Sequence, residues 1–465
     1  MEGLREFIRR PSGEGISGRL LQPFQAFVQA ETTSGLLLIL CICLALVWAN
    51  SPWAGSYEHL WEIHLVIHLG GYGLDKPLHV WINDGLMALF FFLVGLELKR
   101  EILVGELSKL KQATFSLAAS IGGAICPALI YLLWNAGTLG IKGWAIPMAT
   151  DTAFALGILA LLGSRITWSL NVFVIAYAIF DDILAVLIIA IFYTEALNWL
   201  ALIAAAGVLL CVLGLNLASV RWIPAYALLG IVLWWLMFIS GVHATVAGIL
   251  LALLIPTRAR INARKFLAEG HAFLDEFERR GKPGLGLYMD DQQAAAVQAL
   301  EASCEQIQSP SQRLEHSLYY PVSFVIVPLF VLANAGVDLR VGLHPAELLS
   351  TVTLGVMLGL VVGKQLGIML FSWLAVKVSW ADLPEQANWR HIYGVSWLGG
   401  IGFTMSLFIA DLAFEGQNPL LLTEAKMGIL LAALVSGSGG YLFLRLMNRG
   451  REASSECVVS EMPRR

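Results

Sequence analysis

The stretch VIAYAIFDDILAVLIIAIF, Val174–Phe192, decides the fold. A helix needs roughly 20 predominantly apolar residues to cross a bilayer, and this run has that length, yet Asp181 and Asp182 stand side by side in its middle. Each ionisable group at such depth costs about 2.5–3.5 kcal/mol or more and persists mainly for function. Neighbouring helical positions point about 100° apart, so the two acids face different surroundings: one a cation path, the other a positive partner. Lys364 in GLVVGKQLGIML (359–370) is the basic residue inside an apolar span, which makes Asp181–Lys364 the natural pair and leaves Asp182 for the cation. Sodium, a hard ion, takes oxygen ligands, so a deprotonated acid pair holds either the metal ion or protons, and the two carboxylates titrate as a coupled unit.

The rest of the chain is built from similar runs. Of 465 residues 57% are hydrophobic and only 14% charged, with mean hydropathy +0.72, against about 25% charged in soluble domains. A net charge of −4 also lacks the basic footprint of a nucleic-acid binder. About twelve spans are expected, near 34–50, 84–99, 113–134, 146–162, 170–193, 199–217, 223–239, 242–256, 318–336, 350–376, 392–413 and 426–447. Seventeen Lys and Arg fall in the connections on the side of both termini, without the eight in 257–317, against four on the other side. That asymmetry predicts that both termini are cytoplasmic. The segments are then a cytoplasmic tail (1–33), spans one to eight (34–256), a cytoplasmic loop (257–317), spans nine to twelve (318–447) and a second tail (448–465). The charged N-terminal stretch precedes the first apolar run by too far for an ordinary cleavable signal, so that run is expected to be retained.

The loop 257–317 carries eight basic and nine acidic residues and is expected to be partly disordered, with a helix-like stretch at 292–308. HLVIHLGGYGLDKPLHVWI (64–82) suggests a small external hairpin turning at Gly70-Gly71, whose edge can pair with a second copy. Cys41, Cys43, Cys126 and Cys211 lie in apolar runs and read as small hydrophobes. No cofactor is expected.

Two spans look interrupted. AIPMATDTAFALGILALLG (145–163) has Pro147 and the Thr150-Asp151 pair, and WLGGIGFTMSLFIADLAF (397–414) has Gly399, Gly400 and Gly402 ahead of Thr404. Freed backbone groups are tolerated where they line a cavity or meet side chains. Half-helix ends leave partial charges that Asp151 (at an N-terminus) and Lys364 (at a C-terminus) can offset. The breaks sit in the middle span of two sets of three, 113–193 and 350–447, a pattern that resembles an inverted-topology repeat.

Together, NDGLMALFFFLVGLELKRE (83–101), IPMATDTAFALGILALLG (146–163), AIFDDILAVLIIAIFYT (178–194), SGVHATVAG (240–248), RLEHSLYYPVSFVIVPLFVLANAG (313–336), VVGKQLGI (361–368) and GIGFTMSLFIADLAF (400–414) resemble the NhaA family of sodium/proton antiporters. The repeat rule was itself drawn partly from this family, so that agreement is not independent. The resemblance implies an all-α polytopic membrane protein of twelve helices, two of them discontinuous and crossed at mid-membrane, and a homodimer joined partly by an external β-hairpin. It also implies electrogenic export of sodium or lithium against inward protons. Residue by residue, Asp181 and Asp182 match the ion- and proton-binding acids and Lys364 the lysine paired with the first. Thr150 and Asp151 match the crossing, with Thr404 supporting it from the other broken span, and Asp84 matches a second-span acid. Glu97, Glu101, Arg313, Glu315 and His316 match positions linked to activation by alkaline pH.

Tyr319 stands where the family has a second histidine, Asp411 where a serine is familiar, and 257–317 is long; these departures bear on the pH profile. Several residues keep a plainer reading as well. His243 reads as a helix-terminus packing residue, Asp84 equally as a helix-start cap, Asp411 as a satellite polar group, and the pH-response set as solvated charge. An aspartyl protease using Asp151 and Asp182, metal-dependent prenyl transfer and a passive cation channel are the competing classes, and the protease leaves Lys364 and the helix breaks unexplained.

Overall fold

In the computed structural model the described residues are 16–69, 72–105, 110–163, 166–194, 197–259, 261, 263–280, 291–339, 344–414 and 418–447. The turn at Gly70-Gly71, residues 1–15 and 448–465 of the tails and 281–290 of the long loop lie outside them. The chain divides into two compact units.

The first unit takes residues 1–57, 110–184 and 334–465. It contains α1 (Ile16–Ala49), most of α2 lying beyond it (Ala54–Glu62), then α4 (Leu110–Trp134) and a 3₁₀ helix Leu139–Met148 leading to α5 (Thr152–Leu162). α6 (Trp168–Phe192) follows and carries the chain onward past Leu184. The unit is completed by α13 (Thr351–Leu358), a π turn at Gly359–Gly363, α14 (Lys364–Lys377), α15 (Trp389–Gly399), α16 (Phe403–Phe414) and α17 (Pro419–Met447). Both interrupted spans are real: the pair at 139–162 bends by 43° and the pair at 389–414 by 45°. In each set of three the middle member is the broken one.

Close approach of backbones sets the position of α14. A Cβ on Gly367 would lie 2.0 Å from the Gly122 carbonyl oxygen of α4, and one on Gly122 would lie 2.2 Å from the Gly367 oxygen. The two helices therefore touch main chain to main chain, as small residues allow in membranes. Just before this contact the π turn shifts the register of the span at Lys364, a distortion often found at functional sites.

The second unit takes residues 58–109 and 185–333. Its hairpin pairs β1 (His64–Leu69) with β2 (Tyr72–Pro77) antiparallel, His64 opposite Pro77 and Leu69 opposite Tyr72. A continuous helical span Leu78–Leu103 ends in α3 (Met87–Leu103). α7 (Trp199–Leu217), α8 (Ile223–Ser240) and α9 (Thr245–Leu254) follow. The α8 stop is Gly241, at φ +84°, a conformation glycine adopts without steric cost. Phe92 and Leu96 of α3 pack with Tyr226, Leu233 and Met237 of α8 and Leu251 of α9 as an apolar core.

In the loop 257–317 the structure agrees with the sequence in one helix and adds another. The next span opens with α12 at Pro310, earlier than 318; before it stands α11 (Asp291–Ile307), as expected at 292–308, and ahead of that α10 (Ala263–Arg280), a helix not expected from the sequence. Its polar average hid an amphipathic pattern: the less exposed positions of α10, Phe266, Glu269, Gly270 and Phe273, recur at helical spacing. Ser303 of α11 donates to Glu269 at 2.9 Å. A capping box at Ser309 and Gln312 starts α12, which continues through a π turn to Asn334. Helix α1 likewise begins at Ile16, ahead of the apolar run expected from 34.

Among the described residues, eight helices are long and apolar enough to cross a membrane, or up to eleven with each bent pair as one span, and α9 is a further short apolar helix. These correspond in order to the twelve expected runs. The protein is a multi-pass membrane protein.

Candidate functional site

The two breaks in the first unit meet each other. The amide of Asp151, the residue just before α5, donates to the Ile401 carbonyl at 2.6 Å, between α15 and α16. Asp151 Oδ1 accepts from the Phe154 amide at 3.2 Å, capping its own helix α5. Its Oδ2 accepts from the Thr404 amide at 3.0 Å and the Thr404 hydroxyl at 2.6 Å, in the first turn of α16. One carboxylate thus meets the positive ends of two half-helices. Carbonyls at the opposite ends receive hydroxyls: Thr150 donates to Gly399, the last residue of α15, at 2.8 Å, and Ser406 donates to Ile146 at 2.8 Å.

Beside this crossing lies the acid pair of α6. Lys364 and Asp181 are 0% and 1% exposed in their side chains, and Lys364 Nζ donates to Asp181 Oδ2 at 2.7 Å. Ser120 of α4, itself buried, donates to Asp181 Oδ1 at 3.5 Å. Lys364 also donates to the Tyr177 hydroxyl at 3.0 Å, and that hydroxyl lies 3.1 Å from Thr150 Oγ1. Asp182, the adjacent position on α6, is also buried. Among the described residues no group of three His, Cys, Asp or Glu side chains is disposed to hold a metal ion. A monovalent cation here would use the aspartates together with neutral oxygens.

The expected Asp181–Lys364 pair is present. The expectation that Lys364 offsets a half-helix C-terminus is corrected, because the carbonyl end of α15 takes the Thr150 hydroxyl and Lys364 reaches it only through Tyr177 and Thr150. Tyr177, Ser120 and Ser406 were missed by the sequence reading. Tyr177 had a signal, since it lies four residues before Asp181 and so on the same helix face; the serines had none.

In the second unit, Asp84 sits inside a π turn (Trp81–Leu86) within a continuous helix, not at a helix start, so the capping alternative is corrected. Its carbonyl accepts from the Trp234 indole at 2.8 Å. His243 lies between α8 and α9 and its Nε2 is 3.0 Å from the Tyr193 carbonyl, the packing role. Of the pH-response set, Glu101 and Glu315 come together through Arg100, which the sequence reading had not singled out: Arg100 bonds to Glu315 and, at 2.9 Å, to Glu101. Glu97 lies in the field of Arg100. Arg313 instead faces Glu305 of α11 at 3.3 Å, and His316 is exposed. In the first unit, Asp411 of α16 interacts electrostatically with Lys426 of α17.

Apolar spans, two of them broken at a mutual crossing, with a buried lysine and paired acids beside it, define a membrane carrier of the secondary-transporter class. The chain belongs to the Na+/H+ antiporter 1 family, whose profile it matches over residues 25–444. It is 48% identical to the Na(+)/H(+) antiporter NhaA of Koribacter versatilis, over 95% of this chain and 94% of that one. The NhaA of Sulfurimonas denitrificans is 46% identical over 92% of this chain and 96% of its own, and that of Acidithiobacillus ferrooxidans 48% over 92% and 98%. A solved structure, the sodium proton antiporter MjNhaP1 from Methanocaldococcus jannaschii, aligns at a TM-score of 0.48 and 13% identity, covering 91% of this chain and 98% of that one.

Proposed function

We propose that this protein exports sodium or lithium in exchange for inward protons across a bacterial-type inner membrane, by competition of the two ions for Asp181 and Asp182. The observation that carries the reading is the fully buried Lys364–Asp181 ion pair, adjacent to Asp182 and linked to the crossing of two broken helices. Isolated buried charges are costly, so a cation arriving at the aspartates competes with Lys364 and with protons for the same carboxylate oxygens. Exchange is coupled because the site cannot hold both loads at once. If more than one proton moves per monovalent cation, net charge crosses, and membrane potential assists export at about 2.3 kcal/mol per charge per 100 mV.

Other parts of the reading rest on sequence and packing. The Arg100–Glu101–Glu315 cluster, with Glu97, is the candidate for pH regulation. The β1–β2 hairpin offers edges for pairing in a homodimer. The surplus of Lys and Arg in alternate connections supports cytoplasmic termini. An aspartyl protease is disfavoured because both Asp151 oxygens are engaged in capping α5 and α16.

Everted vesicles with an acid interior test the central claim. Sodium or lithium should discharge part of the pH gradient between pH 6.5 and 8.5, and Asp182→Asn should abolish the response while the protein still inserts. Retained exchange in that variant would remove Asp182 from the ion site.

A further inference from the structure

The hydrogen bonds around Tyr177 run in one direction only. Thr150 has a single hydroxyl proton and spends it on the Gly399 carbonyl, which can only accept, at 2.8 Å. With that proton on Gly399, the 3.1 Å contact between the two hydroxyls runs from Tyr177 to Thr150, and in either direction Lys364 can only donate to Tyr177. With its own proton committed, the Tyr177 oxygen is an acceptor for Lys364 Nζ at 3.0 Å. The chain Lys364 to Tyr177 to Thr150 to Gly399 joins the ammonium of the ion pair to the last carbonyl of α15, inside the broken span. Tyr177 is 1% exposed, and its ring centroid lies 5.6 Å from Lys364 Nζ.

We infer that Tyr177 is a positioning residue for ion exchange: its hydroxyl is the second seat of the Lys364 ammonium, holding it when a cation takes its place on Asp181. The inference rests on the reading that the aspartates take the cation. When sodium binds, Lys364 gives up its bond to Asp181 at a position where both side chains are buried. An ammonium left there with no acceptor is strongly disfavoured. The Tyr177 oxygen keeps one acceptor in place, and because Thr150 anchors that oxygen to α15, the ammonium stays within reach of Asp181 and returns when the cation leaves. Asp181 and Asp182 on α6 are the acids whose field reaches both Tyr177 and Lys364. Ser120 holds the other oxygen of Asp181, and the Thr150 side chain also interacts with that carboxylate.

Tyr177→Phe keeps the ring and removes the hydroxyl. In everted vesicles at a fixed pH, its apparent KM for both sodium and lithium should rise about tenfold, the size expected for a hydrogen bond to a charged group, with the maximal rate within about twofold of the parent. The sodium concentration that half-stabilises the purified protein against heat should rise by a similar factor. Tyr177→Met, which fills the space without a hydroxyl, should behave alike. An unchanged KM, or a lower maximal rate with KM unchanged as a merely structural role would give, overturns the inference, as does failure of both variants to accumulate. A parent protein that responds to neither ion fails the antiporter reading instead, so the two failures are distinguishable.

Discussion

Lys364 and Asp181 are the residues on which most depends. Breaking a buried ion pair by removing one partner leaves an uncompensated charge and costs about 3–5 kcal/mol, whereas replacing both partners by uncharged groups is often neutral. Lys364→Ala should therefore lower stability by that amount in detergent, and the double variant Asp181→Asn, Lys364→Met should regain most of it while transporting nothing. Thermal melting of the purified proteins checks both; an unaffected Lys364→Ala would mean that the pair contributes nothing to the fold. Asp151 is a second case. Its carboxylate caps both α5 and α16, so Asp151→Ala should cost about 2 kcal/mol, twice the usual effect of one cap; a change under about 0.5 kcal/mol would contradict the double role. At this scale the sequence showed the acids and the lysine because charge is scarce in apolar runs, and it named Asp181–Lys364 correctly. It did not single out Tyr177: its place four residues before Asp181 was the one signal, and its hydroxyl gains a role only when Thr150 and Lys364 are folded against it.

Helix packing places those residues. The Gly122–Gly367 contact brings α4 and α14 together main chain to main chain, three residues after Lys364. Gly367→Val should force the helices apart and reduce stability by about 1–3 kcal/mol or more, as overpacking does, and should impair transport through displacement of Lys364. Gly157, where an added Cβ meets nothing within 4 Å, is the control: Gly157→Ala should leave melting temperature and transport near the parent values. Equal losses in the two variants would show that close packing is not what matters. Breaks were legible at this scale because Pro147 and the Gly399, Gly400 and Gly402 cluster interrupt otherwise apolar helices. How the broken ends find partners was not, since Asp151 and Thr404 are 253 residues apart in the chain.

For the molecule as a whole, apolar runs gave the order of the spans, because length and hydropathy are properties of the local sequence. In the connection after α9 the helix at 292–308 was legible as α11, but its partner α10 was not, because it is polar on average and its less exposed positions, such as Phe266 and Phe273, are few and spaced. Cys304 on α11 is exposed and reports which side of the membrane this hairpin occupies. In a Cys457→Ser background a membrane-impermeant thiol reagent should label Cys304 in everted vesicles and not in right-side-out ones; the reverse pattern would invert the proposed orientation. The most direct test of the account remains cation-dependent proton movement in everted vesicles carrying the parent protein or Asp182→Asn. Sodium and lithium should each discharge the gradient with the parent protein and fail to do so with the variant at equal insertion; a gradient discharged equally by both proteins would contradict exchange at the aspartate pair.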